Sequence, residues 1–351
     1  MRSIAKSLIA AGALGAGAVW ASQFALRRSR WFPFTGKVVL ITGGSRGLGL
    51  VLARKMVAAV AKVVICARTE DDIRAAVDEL SAAGGGRVLG LTCDVRRPEQ
   101  VQEMIDRVLA RWQRIDVLCN VAGIMHVGPL DAMTLADFHD AMDTNCWGAL
   151  HTVLSVLPHM RRQGWGRIVN VASIGGKRAV PHLLPYDVSK FALVGLSTGL
   201  RAELAQENIL VTTVCPSIMR TGSPRNATFK GQHRLEYAWF NIGSGLPIVS
   251  VDARRAADQI LRACQDGEGE VYISNYLNPA VLASKLAPAL TAEVLALVNR
   301  FLPAMGGIGS RAALGYESES AASPSLLTTL SDRAAKSNNE MRPRPAAHHP
   351  A

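Results

Sequence analysis

From Lys37 onward, short β-branched runs alternate with longer stretches of helical period. The runs are KVVLIT, KVVICA, RVLGLT, IDVLCN, RIVNVAS, ILVTTVC and EVYIS, and each ends in a turn signal. Continuous apolar runs, rather than strict alternation, mark strands buried on both faces. Seven such strands with helices between them predict a parallel sheet. Right-handed crossovers make it a doubly wound, Rossmann-like α/β fold. Ligands in such sheets lie beyond the carboxyl ends of the strands, so chemistry is expected in the residues that follow each run.

The pattern changes at both ends. Ser7–Leu26 is an uncharged stretch of 20 residues, rich in Ala and Gly. As a helix it would reach about 30 Å, the thickness of a bilayer core. Arg27, Arg28 and Arg30 follow at once, with Trp31 and Phe32 suited to an interface. That basic flank predicts a membrane anchor with the body on the cytoplasmic side. The competing reading is a signal peptide cleaved after Ala16-Gly17-Ala18. Residues 280–305 form two apolar pieces interrupted by Pro288 and closed by Pro303. Each piece is too short to span a bilayer. Packing on the body is the default for such a stripe, with a dimer contact or an interfacial position as alternatives. From about residue 316 the chain is polar and biased in composition, which predicts a disordered tail. The organisation expected is an anchor and flank over 1–35, a catalytic domain over 36–275, an apolar helical extension over 276–310 and a loose tail over 311–351.

The chain has 351 residues, 49% hydrophobic and 19% charged, enough apolar material for a large core. Its formal net charge of +11 first suggests nucleic acid or an anionic membrane. The amino-terminal arm, however, carries Arg2, Lys6, Arg27, Arg28 and Arg30 and no acid. The long middle is only mildly basic and has no Lys/Arg run, so no nucleic-acid partner is expected. Six widely spaced cysteines, without a C-x-x-C pair, predict a reducing compartment and neither disulfides nor a metal site.

After the first run comes Thr42-Gly43-Gly44-Ser45-Arg46-Gly47-Leu48-Gly49, then a helix. Glycines let a backbone approach a pyrophosphate, and the helix N-terminus supplies N–H donors. No G-K-[ST] follows, which disfavours a nucleotide-hydrolysing loop. The second run ends in Arg68, where an acid would bond the ribose of NAD. Arg68 and Arg46 instead suit a 2′-phosphate, so NADP is expected before NAD. Glu70, Asp71 and Asp72 then open the next helix, with Thr69 as its cap. Tyr186 and Lys190 lie four apart at the start of an apolar helix and so share one face. An ammonium beside a phenol lowers its pKa and suits it to move a proton to or from a carbonyl oxygen. Ser173 ends the fifth run and could hold that same oxygen.

Together these motifs resemble the short-chain dehydrogenase/reductase family. Thr42–Gly49 matches its T-G-x-x-x-G-x-G. Asp94-Val95 resembles the pair that meets the adenine, and Asn120-Val121-Ala122-Gly123 resembles its N-A-A-G. The resemblance implies that Asn145, Ser173, Tyr186 and Lys190 form the catalytic tetrad, with Asn145 holding a proton-relay water. It implies that Pro216, Ser217 and Thr221 line the nicotinamide, in a segment similar to P-G-x-x-x-T. It further implies a homodimer or homotetramer built through the helices around Asn145 and Tyr186. Ser217 departs from the usual glycine, Val121 from alanine, and Val60 stands where the first helix commonly ends in glycine. The match runs from about 36 to 275.

Residues 217–250 carry Phe229, Tyr237, Trp239, Phe240, Ile242 and Leu246, and Ala179–Pro185 is also mostly apolar. They suggest either a lipophilic substrate or a lid packed on itself. His182 reads as a loop residue. The expected activity is NADPH-linked reduction of a lipophilic ketone or 3-keto lipid. A soluble-type 3-ketoacyl thioester reductase ranks below it, because that enzyme needs neither terminal extension. A non-catalytic cofactor-binding sensor ranks last, because the tetrad is whole.

Overall fold

The computed structural model describes residues 21–22, 24–274 and 277–341. Most of the predicted anchor, and the chain beyond 341, lie outside the described residues. Among the described residues, no helix is long and apolar enough to cross a membrane.

In chain order the elements are β1 (Val38–Thr42), α1 (Gly47–Ala58), β2 (Lys62–Ala67), α2 (Glu70–Gly84), β3 (Val88–Thr92) and α3 (Pro98–Trp112). Next come β4 (Val117–Asn120), the short β5 (His126–Val127), α4 (Leu135–Met142), a π-turn (Asp143–Trp147), α5 (Gly148–Gln163) and β6 (Gly166–Val171). Then follow α6 (Leu184–Leu204), β7 (Ile209–Pro216), β8 (Met219–Arg220), β9 (Thr228–Phe229), α7 (His233–Gly245), β10 (Val251–Asp252), α8 (Ala253–Gln265) and β11 (Glu270–Ile273). The chain goes on through α9 (Leu277–Leu286), α10 (Pro288–Asn299), β12 (Ala313–Leu314) and α11 (Thr329–Ser337).

A seven-stranded sheet runs in the order β11-β7-β6-β4-β1-β2-β3, with parallel pairing throughout. The seven apolar runs supply its seven strands. Side chains alternate along β1, so Val39 and Ile41 enter one core while Val38 and Leu40 enter the other. Helices α1 and α8 cover the first face, and α3 and α5 the second. Strand order reverses between β1 and β4, which pair so that Thr42 lies beside Asn120. That reversal opens the crevice where such folds take ligands.

Several expectations are corrected here. Phe32 does not wait at an interface: it is buried, edge-on to Trp165 at 5.0 Å, while Trp31 is exposed. Val60 does adopt the left-handed turn, at φ 60°, which β-branched residues resist. The apolar extension does not pack throughout. No residue of α10 is buried, and Leu290, Val294, Leu297 and Phe301 stand in solvent. The tail, by contrast, is folded through residue 341. β12 pairs with β9, and α11 lies along α7, where Ser331 donates to Asn241 at 2.7 Å and Asn241 donates to Ser323 at 2.9 Å. Arg54 donates to the Ser337 carbonyl at 2.7 Å. Hydrogen bonds between polar side chains anchor this segment, which is why its composition reads as disordered.

Candidate active site

Thr42 ends β1, and its hydroxyl accepts from the amides of Val121 and Ala122 at 3.1 and 3.2 Å. It thereby ties the end of β1 to the loop after β4. Gly43 sits at φ 66°, and a Cβ there would lie 2.8 Å from the Ala122 Cα, so only glycine fits this approach. Arg46 is the N-cap of α1 and makes no side-chain cap bond. The helix end thus leaves its first N–H groups to other acceptors.

A cleft of about 900 Å³ opens beside this turn. Of the expected cofactor residues, Gly43, Ser45, Arg46, Arg68, Asp94, Val95, Ala122 and Gly123 line it. Glu70 and Asp71 pair with Arg74 at 2.9 and 3.4 Å, whereas Asp72 lines the cleft together with Arg68. Thr69 is the N-cap of α2 but makes no side-chain cap bond.

One wall of the cleft is a row of charges that sequence reading missed. Arg96 grips Asp94 at 2.7 Å and reaches Asp140 at 3.0 Å. His126 meets Asp140 at 3.3 Å, and the buried Lys230 meets Asp137 at 2.6 Å. Burial would push the Asp94 carboxyl up, but the hydrogen bonds from Arg96 outweigh it and hold the group below its usual range. Only the Asp94–Arg96 spacing was visible in the sequence, since the other pairs are made by topology.

Asn120 does not face the cleft. It is buried, donates to Asn170 at 3.0 Å and accepts from Thr152 at 2.7 Å. Its side chain serves inside the sheet, where it joins β4 to β6 and α5. Leu48 is likewise buried in the core beneath the turn. Gly49 faces the Gly43 carbonyl so closely that a side chain would not fit. Pro216 completes β7 and Ser217 donates its amide to Ile273 at 2.8 Å, while the Ser217 hydroxyl is buried without a partner. The Thr221 hydroxyl donates to Ser223 at 2.9 Å.

The four residues of the expected tetrad come together from different elements. Ser173 follows β6, and its hydroxyl accepts from the Gly175 amide at 3.0 Å and lies near enough to Tyr186 to draw the phenol's pKa down. Tyr186 opens α6 one turn before Lys190, whose ammonium lies 5.6 Å from the phenol ring centroid and donates to the Val171 carbonyl at 2.9 Å. Asn145 sits in the π-turn, the kind of helix irregularity common at functional sites. Its amide donates to the Ile124 carbonyl at 3.1 Å and to Ser189 at 2.8 Å, and accepts from the Ile124 amide at 2.9 Å. The Asn145 side chain therefore pins the loop after β4 to α6, which is positioning work.

Burial acts oppositely on the acid and the base. It pushes the Tyr186 phenol up to about 12, against the pull of Ser173, and the Lys190 ammonium down to about 8. Tyr186 thus moves opposite to the lowering expected from Lys190, with burial the largest cause. At neutral pH the phenol is a proton donor. Asp187 is a further missed group, with its carboxyl pushed up to about 8 by burial while the Val180 amide donates to it at 2.7 Å.

The aromatic side chains of 217–250 mostly pack on one another. Phe229 meets Tyr237 at 5.3 Å and Phe240 at 6.1 Å, and this cluster reaches Tyr186. They form a packed lid whose inner edge borders the phenol. His182 is buried beneath it at φ 67°, and its Nδ1 faces the buried Glu236 at 2.7 Å.

The family model described as short chain dehydrogenase matches residues 37–230. A putative ketoacyl reductase from Streptomyces coelicolor is 32% identical over 276 residues, covering 78% of this chain and 97% of that protein. A short-chain dehydrogenase structure from Streptomyces avermitilis superimposes with a TM-score of 0.66 at 28% identity, over 76% of this chain and 98% of that one. An actinorhodin polyketide ketoreductase variant solved with NADPH gives 0.60 at 30% identity, over 68% of this chain and 95% of that one.

Proposed function

This chain belongs to the short-chain dehydrogenase/reductase family, oxidoreductases that act between an alcohol and a carbonyl, and we propose that it reduces a ketone on an acyl chain with NADPH. The observation that carries this reading is the half-buried Tyr186, which stands on α6 beside Ser173 and has the Lys190 ammonium 5.6 Å from its ring centroid. The ketoacyl and polyketide reductase names of its relatives favour a 3-ketoacyl thioester over a free lipophilic ketone.

The cofactor residues fit a dinucleotide. Gly43 leaves no room for a side chain, the N-cap of α1 is uncapped by its own side chain, and Arg46 and Arg68 share one cleft. Arg46 and Arg68 would hold a 2′-phosphate in their guanidinium forks. NADPH supplies the hydride when bound. Tyr186 then gives its proton to the carbonyl oxygen, Ser173 holds that oxygen, and Lys190 stabilises the phenolate left behind. Asn145 keeps the loop after β4 in register with α6.

The remaining parts of the reading concern placement. Trp147, Leu154, Val188 and Phe191 are exposed apolar residues on the π-turn, α5 and α6, and they suit a homodimer or homotetramer. The 7–26 segment, its arginine flank and the exposed apolar residues of α10 support a membrane-associated enzyme with its catalytic domain on the cytoplasmic side.

Purified protein is expected to consume NADPH with a 3-ketoacyl thioester, and Tyr186→Phe to lose at least about 100-fold in kcat while keeping NADPH affinity. Undiminished turnover in Tyr186→Phe would overturn the assignment.

A further inference from the structure

The segment Asn338–Glu340 bridges the groove between the glycine turn and the loop after β7. The Gly47 amide donates to the Asn338 carbonyl at 2.9 Å, and the Asn338 side chain donates to the Thr221 carbonyl at 3.2 Å. Asn339 donates to the Ser45 carbonyl at 3.0 Å. The Glu340 carboxylate is buried against Arg46 at 3.6 Å, and Asn226 donates to it at 2.5 Å and to the Glu340 carbonyl at 3.0 Å. A Cβ placed on Gly47 would stand 2.6 Å from a Glu340 oxygen, so no phosphate fits between them.

We propose that Asn338–Glu340 is an internal competitor for the pyrophosphate of the dinucleotide, holding the glycine turn until the cofactor displaces it. The inference rests on the NADPH reading given above. Its chemistry is that of the ligand it excludes. The Asn338 carbonyl oxygen takes the helix N–H as a pyrophosphate oxygen would, and the Glu340 carboxylate takes the Arg46 guanidinium as the 2′-phosphate would. Burial pushes the Glu340 carboxyl up, against the pull of Arg46, so the carboxylate is held there at a cost and is releasable. The hydrogen bonds made by the three residues are to polar side chains and backbone, the kind of attachment that opens locally before the core does. A closed groove lowers apparent affinity by the fraction of molecules that are open.

The test is an NADPH titration, by nucleotide fluorescence, of the full chain, of Glu340→Gln and of a chain ended after Ser337. The expected result is a Kd about tenfold tighter for the shortened chain and severalfold tighter for Glu340→Gln. Saturating NADPH should also speed amide hydrogen exchange at 337–341 in the full chain. That measurement and Glu340→Gln decide the matter even if the shortened chain does not fold. Equal Kd values in all folded forms, or slower exchange at 337–341 with NADPH, overturn the competition alone. Absence of NADPH binding in every form overturns the cofactor reading, and the competition with it.

Discussion

His182 and Glu236 meet at 2.7 Å with both side chains buried, joining the loop that leads into α6 and Tyr186 to the lid helix α7. Trp239 donates to the second oxygen of the same carboxylate at 2.7 Å. A buried carboxylate that loses its partner is far costlier than the pair was favourable. His182→Ala is therefore expected to cost about 3 kcal/mol in a urea melt and to lower kcat/KM by loosening the loop before Tyr186. Adding Glu236→Gln should restore part of the stability. An unchanged midpoint in the single variant would show that the pair does not hold the lid.

Arg68 lines the cleft with Arg46, and the carboxylates of Asp94 and Asp140 act on its charge. Arg68→Asp should weaken NADPH by about tenfold or more and shift preference toward NADH, since an acid there can accept from a ribose hydroxyl. Steady-state kcat/KM with both nucleotides reads the change. A preserved NADPH preference would remove Arg68 from the cofactor site.

The folded Asp187 carboxyl titrates near 8, above its unfolded value. The folded state therefore holds the extra proton between about pH 4 and pH 8, and stability should fall as pH rises through that window, by about 1.4 kcal/mol per unit. Asp187→Asn should remove this slope, so its gain over the unaltered protein is larger at pH 8 than at pH 5. Parallel stability profiles for the two proteins would contradict the raised value.

Val60 holds a left-handed turn at φ 60° while its amide and the next one cap α1 through Val57 and Met56. Glycine adopts that conformation without a Cβ penalty. Val60→Gly should raise stability by about 1 kcal/mol, seen as a higher denaturant midpoint with an unchanged slope. A loss of stability would mean the side chain's contacts exceed the strain.

The sheet was legible because its inner strands are buried on both faces, so they wrote near-continuous apolar runs. The glycine turn and the tetrad were legible because local backbone needs and the Tyr186–Lys190 spacing leave marks within a few residues. What escaped has no local mark. Lys230 finds Asp137 across 93 residues, and Arg225 finds Glu319 across 94. The tail escaped because hydrogen-bonded order and disorder share one polar composition. The lid aromatics could be read as substrate contacts or as packing, and only their mutual 5–6 Å ring distances decided it.

Ser45 and Asn339 are in contact although 294 residues separate them. During synthesis the glycine turn exists long before its partner segment is made. Domains fold as units while the chain emerges, at about 5–20 residues per second. The groove, complete only once the Thr221–Asn226 loop is made, thus stands open for about 110 further residues, roughly 6–22 s, before residues 338–340 exist. On the competition proposed above, nucleotide present at the ribosome meets a more open site than the finished chain offers.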